Sequence, residues 1–226
     1  MPPSLIDTLK ERLGPIGVLQ GADAAGRHTS DASLMNAQAP VAVLRPACTD
    51  DVAFILRTCH AAGQPLVIQG GLTGLCGGAT PHAGEIALSL ERMHAIEELD
   101  GDAMTMTVQA GTPLETIQNA AAEAGFRFPL DLGARGACNI GGNISTNAGG
   151  NEVIRYGMTR NLVLGVEVVL ADGTVLTSMN KMLKNNAGFD LKQLFIGTEG
   201  TLGVVTRAVL RLYPRPLTHF AALCAL

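Results

Sequence analysis

The placement of glycine constrains this chain more than any other feature. Three stretches concentrate it: QGGLTGLCGG at 69–78, PLDLGARGACNIGGNISTNAGGN from Pro129 to Asn151, and GTEGTLG from Gly197 to Gly203. Glycine tolerates positive φ and carries no Cβ, so successive backbone N–H groups can converge on an anion. The 27 glycines follow no three-residue period, which excludes a collagen-like chain. The first stretch follows an apolar strand directly, and a diphosphate suits such a nest. Its spacing is not GxGxxG, and no Gly-Lys pair exists for a Walker loop.

In the second stretch six glycines (Gly133, Gly136, Gly141, Gly142, Gly149, Gly150) alternate with Asn143, Ser145, Thr146 and Asn147, short side chains that both donate and accept hydrogen bonds. Ile140 and Ile144 point to a segment folded onto the core, with its polar groups turned to a ligand. The third stretch lies between a helix and a strand, and reads either as a cover over a planar ring or as a turn.

Around these stretches the chain alternates helices and strands. Val52, Ile55, Leu56 and Cys59 share one helical face, with Thr49 or Asp50 as cap and Gly63 as terminator. VAVLRP, PLVIQGG and EIALSL read as strands, and strands joined through a helix favour parallel pairing. Met104, Met106 and Val108 alternate with threonines and Gln109, the period of a half-buried strand. Thr112-Pro-Leu-Glu115 predicts a capping box opening a helix that buries Leu114, Ile117, Ala121 and Ala124. Asp172-Gly173 between two apolar runs predicts a hairpin. Asp190 to Phe195 reads as a short helix, Gly203 to Tyr213 as a strand, and Thr218 to Leu226 as the opening of another. The fold class expected is α+β, in two layered halves dividing near residue 100.

Composition removes several classes of function. With 47% hydrophobic and 16% charged residues over 226, the chain buries a core and is no disordered polyelectrolyte. A net charge of −4, no Trp and 4% aromatics give neither the basic footprint nor the stacking rings of a nucleic-acid binder. The longest apolar run, Phe220 to Leu226, is far below the ~18–20 residues of a membrane span. MPPSLIDTLKERLG reads as an amphipathic helix and not as a signal peptide. The five cysteines (Cys48, Cys59, Cys76, Cys138, Cys224) lack CxxC spacing and fit free thiols in a reducing cytoplasm. The histidines (His28, His60, His82, His94, His219) show no metal-ligand spacing and read as solvated or capping residues; no metal is expected.

QGGLTGLCGGA, FPLDLGARGACNIGGNISTNAGG, RYGMTRNLVLGVEVVLADGTVL and NNAGFDLKQLFIGTEGTLGVVT, in that order, resemble the FAD-binding domain of the vanillyl-alcohol oxidase and p-cresol methylhydroxylase superfamily. The likeness is greatest to its D-2-hydroxyacid dehydrogenase branch, which includes D-lactate and D-2-hydroxyglutarate dehydrogenases and the flavin subunit of glycolate oxidase. It implies an N-terminal helical segment at 1–39 and an FAD-binding domain at 40–216, built of two α+β subdomains (about 40–100 and 101–216). Residues 217–226 would open a C-terminal substrate domain that is missing, with the chain as the amino-terminal part of a longer protein. The first loop (Gly70, Gly71, Leu72, Thr73, Gly74, with Gly77 and Gly78) would hold the FAD diphosphate. Pro129, Gly136, Cys138, Gly141, Gly142, Asn143, Thr146, Asn147 and Gly149 would follow the flavin and its diphosphate, and Glu199 and Val204 the adenosine or ring portions.

Where some relatives carry a histidine that binds the flavin covalently, this chain has Thr73, which implies noncovalent FAD. The implied reaction is hydride transfer from a 2-hydroxy acid to flavin N5. Substrate contacts belong to the absent domain, so no catalytic residue is assigned, the electron acceptor stays open, and little turnover is expected of this chain alone. Self-association through the face that domain would cover is also expected. Two other readings stand beside this one: a reductase of the same superfamily fed by NADPH, and a noncatalytic nucleotide-binding module.

Overall fold

The computed structural model describes residues 4–218, 220 and 222–224. His219 and part of the strand expected from Thr218 to Leu226 lie outside them; Thr218 and Phe220 are not in a strand. The chain opens with a helix over Leu5–Leu13. Ser4 caps it reciprocally: Ser4 Oγ accepts the Asp7 N–H at 3.2 Å, and Asp7 Oδ2 accepts the Ser4 N–H at 3.3 Å.

Two sheets follow. The first contains β1 (Val18–Leu19), β2 (Val43–Leu44), β3 (Leu66–Gln69) and β4 (Ile86–Ser89) in the order β1-β2-β4-β3. Both β2 and β3 run parallel to β4, as the strand–helix–strand pattern anticipates. β1 lies ahead of residue 40, yet pairs with β2 inside this sheet. The second sheet contains β5 (Ile96–Asp100), β6 (Thr105–Gln109), β8 (Val163–Val169), β9 (Val175–Ser178) and β10 (Val204–Arg211), all antiparallel, in the order β5-β6-β10-β8-β9. A small ribbon pairs β7 (Phe126–Arg127) with β11 (Tyr213–Pro214). The Asp172-Gly173 turn joins β8 to β9, with Gly173 at φ +84°. The fold is α+β, and the chain passes from the first sheet to the second between Ser89 and Ile96.

The helix of the first half runs over Thr49–Ala61 and buries the anticipated face. Its cap differs from the one expected: Cys48 occupies the N-cap without a side-chain bond, and the Thr49 hydroxyl instead donates to Glu167 Oε1 at 2.7 Å. The capping box at Thr112 does not form either. The Thr112 hydroxyl donates to the Gln109 carbonyl at 2.7 Å, and Pro113 becomes the N-cap of the helix Leu114–Glu123. That helix buries Leu114, Ile117 and Ala121, whereas Ala124 is its exposed C-cap. β6 is covered on both faces, because Thr105 and Thr107 are buried together with Met106 and Val108.

One core cluster spans the two sheets. It contains Leu44, Ile86 and Leu88 from the first, Met106, Val166 and Val205 from the second, and Ile140 and Ile144 from the second glycine stretch. That stretch is therefore anchored between the sheets. Buried Glu167 ties the halves together as well: its Oε1 accepts from Thr49 Oγ1 at 2.7 Å and from Thr206 Oγ1 at 2.9 Å, and its Oε2 faces Arg207 Nη1 at 3.4 Å.

Glu167→Leu leaves two hydroxyls and a guanidinium short of a partner, and an unpaired buried polar group costs ~1–3 kcal/mol. A melting curve should show a loss of roughly 2–12 °C, since ~1 kcal/mol corresponds to ~2–4 °C at this chain length; an unchanged midpoint would mean that Glu167 does not tie the halves together. Burial also pushes the Cys59 thiol up to about 11. Folding thus favours the protonated thiol, a contribution complete below the usual range near ~8.5 and lost as pH rises through about 11. Unfolding free energy measured across that window should fall more steeply with pH in the parent than in Cys59→Ala.

Candidate functional site

The first glycine stretch leaves β3 and returns to the core at buried Thr80. Gln69 fixes both stems of this loop. Its Nε2 donates to the Ala79 carbonyl at 2.9 Å and the His28 carbonyl at 3.0 Å, and its Oε1 lies 2.8 Å from His28 Nδ1. His28 is therefore a buried partner of the loop and not the solvated or capping residue that sequence suggests. Sequence offers no signal for this, because a lone histidine in a short polar run has no periodicity to place it.

Between the stems, no backbone N–H from Gly70 to Ala79 donates to a protein acceptor among the described residues. Native proteins pair the great majority of such groups with protein or water, so ten consecutive donors without a protein partner make an anion cradle or a hydrated loop. Leu72 sits at φ 59°, a conformation a branched side chain adopts only when its surroundings hold it there. Gly71 is required for a different reason. A Cβ there would lie 2.7 Å from Asn139 Oδ1 and 2.8 Å from Cys138 Cα, so the loop touches the second stretch backbone to backbone.

The second stretch is used differently. Residues Ile140–Ser145 form a short helix, and the Gly141 N–H is paired to the Ala110 carbonyl at 2.7 Å. A Cβ on Gly141 would sit 2.7 Å from Ala110 Cβ; one on Gly149 would sit 2.6 Å from Met158 Sδ, and Gly150 presses on the Asp131 backbone. These glycines permit close packing, and of their three amides only that of Gly141 is paired among the described residues. Gly142 differs in its space: its N–H has no acceptor among the described residues and lies 3.7 Å from the Cβ position of Gly70, and a Cβ on it would meet nothing within 4 Å. Every amide of the first stretch from Gly70 to Ala79 thus lacks a protein acceptor among the described residues, and in the second stretch those of Gly133, Ala134 and Gly142 lack one at the cleft wall.

The two stretches and the third enclose a cleft of about 550 Å3, within the ~300–1,000 Å3 of small-molecule and cofactor sites. Leu90, Ala110, Leu132 and Val205 give it an apolar floor. Its charged lining residues are Asp31 and Glu199, with no lysine or arginine, so an anion there would be met by peptide dipoles. Asn143 is 4% exposed: Nδ2 donates to Cys138 Sγ at 3.5 Å, and Oδ1 is buried without a partner. A buried acceptor on a cleft wall calls for a donor from a ligand. Burial raises the pKa of the Cys138 thiol, which keeps it neutral beside Asn143. Glu199, at φ 53°, hangs from the Ser145 carbonyl by its N–H at 2.8 Å and turns its carboxylate to Gly78. Arg160 pins the third stretch through the Ile196 carbonyl at 2.6 Å.

Thirteen of the eighteen residues named from sequence line this cleft, and Gly77, Pro129, Gly136, Asn147 and Gly149 do not. Gly77, at φ +77°, packs on Met35 and shapes the loop. Pro129 lines a separate recess with Arg127 and Arg215. Gly136 is exposed beside Glu115, and Asn147 Oδ1 accepts the Arg160 N–H at 3.0 Å. Asp31, Gln69 and Asn139 belong to the wall and were not named. Asn139 lies within the motif itself, next to Cys138, whereas Asp31 lies far upstream with no local signal.

The FAD binding domain family matches residues 40–178. D-2-hydroxyglutarate dehydrogenase, mitochondrial, of Bos taurus is 51% identical over 176 residues, 78% of this chain and 32% of its own length. D-2-hydroxyglutarate dehydrogenase of Xanthomonas citri pv. viticola is 46% identical over 187 residues, 83% of this chain and 40% of its own length. This chain thus spans between a third and two fifths of these relatives. Among solved structures, alkyldihydroxyacetonephosphate synthase superposes with a TM-score of 0.85 at 22% identity, covering 96% of this chain and 41% of that one. At that identity the likeness concerns the fold.

Two neighbouring glycines separate packing from binding. Gly141→Ala should lower the melting temperature, because overpacking a tight contact costs ~1–3 kcal/mol. Gly142→Ala meets nothing within 4 Å, so thermal stability should hold or rise while the new methyl narrows the cleft and weakens ligand uptake. Equal melting losses in both variants would contradict this division.

Proposed function

This chain belongs to the FAD binding domain family, of the p-cresol methylhydroxylase type, and on that premise we propose that it is the flavin-binding portion of a D-2-hydroxyacid dehydrogenase. FAD is its cofactor. The described residues fit the dinucleotide: among them are a run of ten amides without protein acceptors, a wall without cationic side chains, and the orphaned Asn143 Oδ1. The amide run carries the reading, since the diphosphate is the part of FAD that needs donors, while Gly71 lets this loop close against the second stretch. The thirteen cleft residues are the proposed cofactor-holding set.

Bound FAD would accept the hydride in the whole protein; the chain's own part is to bind, orient and keep water out. The loop amides would hold the diphosphate, Asn143 Oδ1 would accept from a ligand N–H or O–H, and the apolar floor would exclude water from the ring. The names of the bovine and Xanthomonas relatives favour D-2-hydroxyglutarate as substrate over D-lactate or glycolate. Thr73, with no ring nitrogen to alkylate, supports a dissociable flavin. The five free thiols fit a reducing compartment, and we keep the cytoplasm as the proposed location.

The test is an absorption spectrum of the purified chain after equilibration with FAD. Flavin bands near those of free FAD should appear on the protein, acid precipitation should release them to the supernatant, and Gly71→Ala should abolish uptake. A colourless parent chain that refuses FAD would refute the flavin reading, and yellow colour retained in the acid pellet would refute noncovalent attachment.

A further inference from the structure

The family match begins at residue 40, yet one residue of the cleft lining, Asp31, comes from before it. The segment from Arg27 to Met35 lies along the outer side of the first glycine loop. His28 joins it to Gln69, Asp31 N–H donates to Thr80 Oγ1 at 3.3 Å, and Met35 Cε lies 3.3 Å from the Cβ position of Gly77. At its centre is Asp31, 3% exposed. Asp31 Oδ1 accepts from Ser33 N at 3.0 Å and Ser33 Oγ at 2.5 Å. Asp31 Oδ2 receives no donor among the described residues and faces the loop, 3.4 Å from the Cβ position of Gly74. Asp31 Oδ2 thus stays open to the cleft as an unused acceptor on an otherwise buried side chain, and a ligand donor there would gain a charge-assisted hydrogen bond. The loop amides do not supply one.

The geometry points to Asp31 as a specificity-determining residue of the cofactor cleft: its Oδ2 accepts a hydrogen bond from a hydroxyl of the ribityl or ribose chains that flank the diphosphate. The inference rests on the flavin-dinucleotide reading above. A hydroxyl is the group selected, because the negative charge repels phosphate from this end of the loop while the amides on the other side attract it. Ser33 holds Oδ1 so that Oδ2 is presented inward, and its Oγ also accepts the Met35 N–H at 3.2 Å. The segment ahead of the matched family region thereby becomes part of the binding site and not only a support for the first sheet.

The parent chain, Asp31→Ala and Asp31→Asn are titrated by flavin fluorescence with FAD and with FAD analogues that each lack one ribityl or ribose hydroxyl. Hydrogen bonds to charged groups are worth ~1.5–3 kcal/mol, so Asp31→Ala should weaken FAD binding by about tenfold or more. One analogue should lose a similar factor on the parent and none on Asp31→Ala, which is the coupling a direct contact produces. If Asp31→Ala does not fold, Asp31→Asn carries the same comparison: its Oδ1 keeps the Ser33 bonds, and the lost charge should weaken FAD by roughly threefold or more. Equal FAD affinity in parent and variants, or the same ranking of analogues on all of them, overturns the proposal while leaving the flavin reading intact. A parent chain that binds no FAD overturns both.

Discussion

The amides from Gly70 to Ala79, without a protein acceptor among the described residues, set the terms for everything built around them. Ten backbone donors from Gly70 to Ala79 cannot be left both dry and unpaired, so the loop must be hydrated when empty and filled by an anion when occupied. Everything around it holds that arrangement open. Gln69 bridges the loop's two stems, Gly71 lets the second stretch approach without a side chain between, and strained Leu72 and Glu199 stand at its two margins. Strain of this kind persists only where packing enforces it, and here the enforcing elements are the two sheets.

The sheets also explain why the second glycine stretch is rigid. Ile140 and Ile144 sink into the core shared by both, which fixes the short helix between them and aims Gly142 and Asn143 at the first loop. Glu167, accepting hydroxyls from Thr49 in one half and Thr206 in the other, holds the halves at the separation the cleft needs. Phosphate recognition by dipoles in place of lysine or arginine suits a cleft whose charged walls are both acidic. Such a site discriminates by shape and by hydroxyl placement more than by net charge.

Much of this was legible in the sequence. Apolar periodicity located the Thr49–Ala61 helix, the parallel strands after it and the hairpin at Gly173, because each depends on local spacing alone. The glycine stretches located the cleft. What sequence could not separate were the reasons a glycine is needed. Gly141 and Gly149 serve close packing, Gly77 a backbone angle and Gly71 the approach of two loops, and all look alike in one dimension. The caps at Thr49 and Thr112 misled for a similar reason, since both hydroxyls had longer-range or more local acceptors than the helix end. His28 and Asp31 were invisible as site residues because the partners that place them, Gln69 and Thr80, lie 41 and 49 positions away.

Amide hydrogen exchange across residues 70–79 and at Gly142, followed by NMR with and without FAD, addresses the central claim most directly. These amides should exchange rapidly in the free chain and at least ~tenfold more slowly after addition of FAD, with the slowing confined largely to this set. Slow exchange in the free chain would mean the amides are already paired. Unchanged exchange in a chain that demonstrably binds FAD would mean that something other than this loop holds the diphosphate.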